Sequence, residues 1–160
     1  MGYSRSVIPT QKACGPSRRM SSIGHIKIRA VLENLQAIMD CVTAAAAAAG
    51  FSARRIGDME LAVEEAVTNV FKYASPLDPG EIEVACACGK GRFSIEIRDS
   101  GREFDITKLP SPDLSQGISD RPIGGLGAYL IMETADDVTY RRLPGFNVLT
   151  LSFDPEIKKS

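Results

Sequence analysis

The stretch "EEAVTNVFKYA" (64–74) carries an acid, an amide and a cation at helical spacing. At about 100° per residue, Glu65, Asn69 and Lys72 gather on one side of a helix, and Glu65 and Asn69 lie one turn apart. Glu64 points away from that group. An asparagine oxygen suits a hard cation such as Mg²⁺. A lysine is a point charge for a phosphate, and a glutamate can orient or deprotonate a hydroxyl. Together these groups fit phosphoryl transfer. The same triplet also makes an ordinary solvated face with a Glu–Lys pair, and by itself it does not choose between the two.

Two further stretches add chemistry. In "RDSGREFD" (98–105), Asp99 ends an alternating strand and Gly101 follows two residues later. The carboxylate can accept a hydrogen bond from an exocyclic amine such as adenine N6, and the glycine lets a flat base approach the backbone. A plain Asp-Ser-Gly turn has the same composition. In "IGGLGAYLIM" (123–132), Gly124, Gly125 and Gly127 crowd the start of a helix. Unpaired N–H groups and the dipole at a helix N-terminus bind phosphate, and glycines clear the approach. No Gly-Lys-Ser/Thr follows, so this is not a Walker A loop. It does not follow the strand of a Rossmann unit either.

The elements that must position these residues can be read from periodicity. "IGHIKIRA" (23–30) alternates as a strand, and 31–49 is helical with Gly50 as its stop. A second helix runs over 51–74 with Ser52 placed to cap it. Val63, Ala66, Val67, Val70 and Ala74 form its sheet-facing stripe. "EIEVACAC" (81–88) and "RFSIEIRD" (92–99) read as a hairpin, and so do "DVTYRR" and "FNVLTLSF" across "LPG". Between the hairpins lie a non-periodic, proline-bearing segment (106–123) and a third helix, "GLGAYLIMETA". Locally paired strands with helices on one face make a two-layer α+β sandwich whose sheet is mostly antiparallel.

Composition bounds the rest. The 160 residues are 44% hydrophobic and 24% charged with a net charge of -1, enough for one domain with a core and without the basic excess of a nucleic-acid binder. No apolar run approaches the ~20 residues of a membrane span. Residues 1–22 read as a flexible tail without the apolar region of a signal peptide, 23–154 as the domain and 155–160 as a second tail. The four cysteines, Cys14, Cys41, Cys86 and Cys88, read as free buried thiols. They point to a reducing, cytoplasmic setting.

In sequence order, "EEAVTNVFKYA", "DSGREFD" and "RPIGGLGAYLIMETADDVTYRR" resemble the N box and the two glycine boxes of the GHKL ATPases. Within that superfamily the chain is most similar to the anti-sigma factor serine/threonine kinases, over roughly residues 23–153. The resemblance implies a Bergerat-type fold, a mixed, mostly antiparallel sheet with helices on one face, that binds ATP and Mg²⁺. It makes Glu65 the general base, Asn69 the Mg²⁺ ligand and Lys72 a phosphate-side cation. Asp99 becomes the adenine reader with Gly101 beside it, Gly124, Gly125, Leu126 and Gly127 the phosphate-side turn, and 106–123 the lid. The implied activity is phosphorylation of an anti-sigma factor antagonist of the STAS type. The alternative is an ATP-gated module that sequesters a sigma factor or other partner without transfer. Neither involves nucleic acid or membrane, and related kinases form homodimers.

Two positions depart from the pattern. Glu103 stands where many members have a second glycine, which stiffens the adenine-side loop. Ile123 stands where some kinases carry an arginine, and the nearest one here is Arg121. A histidine-kinase role would need a phosphoacceptor on a dimerisation helix, whereas His25, the sole histidine, lies on a predicted strand.

Overall fold

Strict alternation along the central strands separates the faces of the sheet. The computed structural model describes residues 19–73, 77–115 and 125–155. Strands β1 (Ser21–Arg29), β2 (Glu81–Gly89), β3 (Arg92–Asp99), β4 (Asp137–Leu143) and β5 (Phe146–Phe153) form a sheet in the order β1-β2-β3-β5-β4. Every ladder is antiparallel. On β2 and β3, the side chains of Ile82, Val84, Cys86, Phe93, Ile95 and Ile97 are buried on the inner face. Their neighbours Glu83, Ser94, Glu96 and Arg98 lie on the other face. β4 takes the edge beyond β5, so β5 pairs with β3 and sets Asn147 opposite Asp99.

Helices α1 (Leu35–Ala48), α2 (Ala53–Tyr73) and α3 (Gly125–Thr134) supply the second layer. α2 buries Met59, Ala62, Val63, Ala66 and Val67, the stripe anticipated from its periodicity. Ala74, the last member expected on that stripe, lies outside the described residues. Ser52 Oγ accepts the Arg55 N–H at 3.2 Å and caps the first turn. α1 ends where Gly50 turns to a φ of 87° and the Phe51 N–H returns to the Ala46 carbonyl at 3.2 Å. Its alanines let it approach β1 closely: a Cβ on Gly24 would stand 3.0 Å from that of Ala45.

The first helix differs from its expected extent. Its leading residues Leu32–Asn34 form a separate 3-10 turn. There the Asn34 amide donates to the Arg29 carbonyl at 2.9 Å, a local bond that competes with regular helix. The cysteine reading also needs correction. Cys41 and Cys86 form no disulfide, but Cys88 is disulfide-bonded. Alternation put Cys88 on the inner face, but it carries no information about what crosses the end of the strand. There the Arg19–Met20 backbone packs against Gly89. Cys14 and the tails expected over 1–18 and 156–160 lie outside the described residues. No described helix is long and apolar enough to cross a membrane.

Phe93 is fully buried and meets the Phe51 ring edge-on at 5.4 Å. Truncating it leaves a cavity between α1, α2 and the sheet. Phe93→Ala is expected to cost about 3–5 kcal/mol in urea unfolding. Ser94→Ala, on the opposite face, should stay within about 0.5 kcal/mol.

Candidate functional site

The site starts at the end of β3. Asp99 is nearly buried, and its Oδ1 accepts the Gly101 N–H at 2.8 Å and the Asn147 Nδ2 amide at 3.1 Å. No described residue donates to Oδ2. With two donors fixed on one oxygen, the group is held as an acceptor. Gly101 is required by proximity, because a Cβ there would lie 2.8 Å from Asp99 Oδ1.

Asn147 is the hub of this end. Its Nδ2 also donates to the Arg102 carbonyl at 2.7 Å. Its Oδ1 accepts from the Tyr140 hydroxyl at 2.6 Å, from the Arg142 guanidinium at 3.0 Å and from the Phe104 N–H at 3.4 Å. Arg142 donates in turn to the Gly101 carbonyl at 2.9 Å. Side chains of the β4–β5 hairpin therefore hold the loop after β3 at three points. Burial, foremost, raises the Tyr140 pKa above the ordinary phenol value. The Tyr73 and Phe104 rings, 4.7 Å apart, give the same end an aromatic wall.

α2 supplies the other end. Asn69 is 5% exposed, and its Nδ2 is buried with no hydrogen-bond partner among the described residues. An unpaired buried amide costs about 1–3 kcal/mol, so a native one calls for a ligand. Asn69 and Asp99 line one cavity that opens to solvent, together with Ala66, Val70, Ile97 and Leu149.

α3 closes on α2 beside Asn69. A Cβ on Gly127 would lie 2.5 Å from Glu65 Oε2 and 3.8 Å from Asn69 Nδ2. Only a glycine lets the first turn of α3 come this near the carboxylate. Among the described residues, Gly125 has open space where its side chain would stand. Leu126 is exposed. Lys72, in the last turn of α2, is also exposed and lines no part of the cavity. The structure thus brings together Glu65, Asn69, Asp99, Gly101 and Gly127, and it leaves Lys72 and Leu126 at the surface. Gly124, Arg121, Ile123 and the later part of the expected lid lie outside the described residues. His25 is a strand residue hydrogen-bonded to Glu83 at 2.7 Å.

A family model for the histidine kinase-like ATPase domain matches residues 28–153. The chain belongs to that family. Serine-protein kinase RsbW of Bacillus cereus is 33% identical over 132 residues, which span 80% of this chain and 82% of the relative. RsbW of Bacillus thuringiensis is 32% identical over the same shares. The crystal structure of the RsbU and RsbW domains of Rv1364c from Mycobacterium tuberculosis has the same fold, with a TM-score of 0.59 at 18% identity. That likeness covers 85% of this chain and 32% of the solved one, so the chain spans about a third of that protein's length.

For a histidine kinase-like ATPase, the residues present fit a purine nucleotide. The second oxygen of Asp99 can accept from an amine, the aromatic wall can flank a base, and the Asn69 amide with the α3 N-terminus can donate to phosphate oxygens. Sequence reasoning missed Asn147, Tyr140 and Arg142. The available signal was a polar residue at an inward position of the apolar strand "FNVLTLSF". Asn147→Ala removes the donor that fixes Asp99 and frees the Arg102 carbonyl. We expect adenosine and ATP affinity to fall roughly tenfold together, read by calorimetry, as for about 1–3 kcal/mol of lost buried hydrogen bonding.

Proposed function

We propose that this chain is an ATP-dependent protein serine/threonine kinase that phosphorylates an anti-sigma factor antagonist of the STAS type. The observation that carries the reading is the Glu65 carboxylate set against Gly127 beside Asn69, whose side chain lines the same cavity as Asp99. A pocket that only sensed ATP would need the purine reader and the phosphate cradle. It would not need a carboxylate where the terminal phosphate meets an incoming hydroxyl.

In this reading Asp99 Oδ2 accepts the adenine amine, and Asn147 keeps the carboxylate from rotating away. Tyr73 and Phe104 cover the base. The N–H groups opening α3 and the Asn69 amide hold phosphate oxygens. Asn69 Oδ1 would hold Mg²⁺, which when bound neutralises charge on the phosphates. Glu65 accepts the proton of the acceptor hydroxyl as its oxygen attacks the γ-phosphorus. The bond to the β-phosphate oxygen breaks and ADP remains. In this reading the kinase works in the cytoplasm, where ATP is supplied. A sigma factor is the second partner of such a switch, released or held according to the state of the antagonist.

Incubation with γ-labelled ATP, Mg²⁺ and the antagonist tests the proposal. Glu65→Gln should lower transfer by about 10²–10⁴-fold and leave ATP binding intact. Asp99→Asn should lower ATP affinity by roughly 10- to 100-fold, the worth of a hydrogen bond to a charged group. Transfer by Glu65→Gln at the wild-type rate would contradict the assignment of the base.

A further inference from the structure

Arg55 stands on the apolar stripe of α2, one turn before Met59, and is 1% exposed. It lines no part of the nucleotide cavity. Ten residues separate it from Glu65, about 15 Å along the helix. Its guanidinium is nonetheless fully engaged. Nε donates to the Asp154 carbonyl at 3.0 Å, one terminal nitrogen donates to Asp58 at 3.1 Å and to the Thr134 carbonyl at 3.3 Å, and the other pairs with Asp136. Asp136 also accepts the Asp154 N–H at 2.8 Å, and the Phe153 ring lies under the guanidinium at 5.2 Å.

These partners belong to particular places in the fold. Thr134 is the last residue of α3, Asp136 directly precedes β4, and Asp154 follows β5. Arg55 therefore grips the C-terminal end of α3, where unpaired carbonyls favour a cation. α3 runs antiparallel to α2. It meets α2 at the Arg55–Thr134 bond at one end and at the Gly127–Glu65 approach at the other. A buried ion pair is a poor source of stability, since apolar groups of similar size commonly do as well. The rigid fork of an arginine is, however, good at fixing direction.

We propose that Arg55 is a positioning residue for phosphate binding. By anchoring the end of α3, it sets the tilt that keeps the glycine-led start of that helix against Glu65 and Asn69. The proposal rests on the nucleotide reading of the cavity. It predicts a split that a merely structural role would not give, because the purine end is built by β3, β4, β5 and the C-terminal half of α2 and does not use α3.

The test compares ATP–Mg²⁺ and adenosine affinity by calorimetry in wild type, Arg55→Lys and Asp136→Asn, well below each melting temperature. Arg55→Lys keeps the charge and loses the fork. Asp136→Asn keeps the shape and an acceptor, and it decides the matter should Arg55→Lys fail to fold. The expected result is an ATP affinity reduced about tenfold or more, in line with the steep cost of small misplacements, with adenosine unchanged within about twofold. Equal losses for both ligands, or no loss for either, would overturn the positioning role. A wild type that binds adenosine as tightly as ATP would overturn the underlying nucleotide reading, which is a separate result.

Discussion

A helix can lie against a carboxylate only if it brings no side chain to the point of contact, and the meeting of α3 with Glu65 at Gly127 is such a point. The rest of the site depends on it. If α3 stood a side chain's width away, the Asn69 amide would be wet and Glu65 would face solvent. The N–H groups at the start of α3 would then point at no common space. The close approach concentrates a carboxylate, an unpaired amide and a helix N-terminus within a few ångströms, and bulk water is a poor competitor there.

The two ends of the cavity are built by opposite strategies. At the purine end polar groups are almost fully spoken for: Asn147 engages four partners besides Asp99 and leaves one carboxylate oxygen for a ligand. At the other end the Asn69 Nδ2 donor has no partner among the described residues, and an acceptor oxygen of a ligand would complete it. The first arrangement selects by geometry, and the second stores a cost of about 1–3 kcal/mol that binding releases. On the proposed nucleotide reading, a pre-organised base site and a ligand-completed phosphate site follow from how many bonds each asparagine finds among the described residues.

Much of this was legible in the sequence, for physical reasons. Alternation on β2, β3 and β5 gave the strands and their inner faces. The 3.6-residue period of α2 set Glu65 beside Asn69 and away from Glu64. Three glycines before an apolar run marked the mouth of α3. What could not be read from one chain was set by pairing across it. Strand order put β5, not β4, beside β3, and only that pairing makes Asn147 a neighbour of Asp99. The period that gathers Lys72 with Asn69 says nothing of solvent, and Lys72 is exposed near the end of the helix. Arg55 sat on the apolar stripe in plain view, but its partners are about 80 to 100 residues away in sequence. Alternation along β2 likewise says nothing of whether the Cys88 thiol is bonded.

A crystal structure of the chain with a non-hydrolysable ATP analogue and Mg²⁺ tests the central claim most directly. The account predicts the adenine amine within hydrogen-bond distance of Asp99 Oδ2, and the Asn69 side chain engaged with the metal or a phosphate oxygen. It also predicts the terminal phosphate between Glu65 and the start of α3. A nucleotide seated elsewhere, or in this cavity with its phosphates directed away from α3 and the Asn69 amide still unpaired, would contradict it.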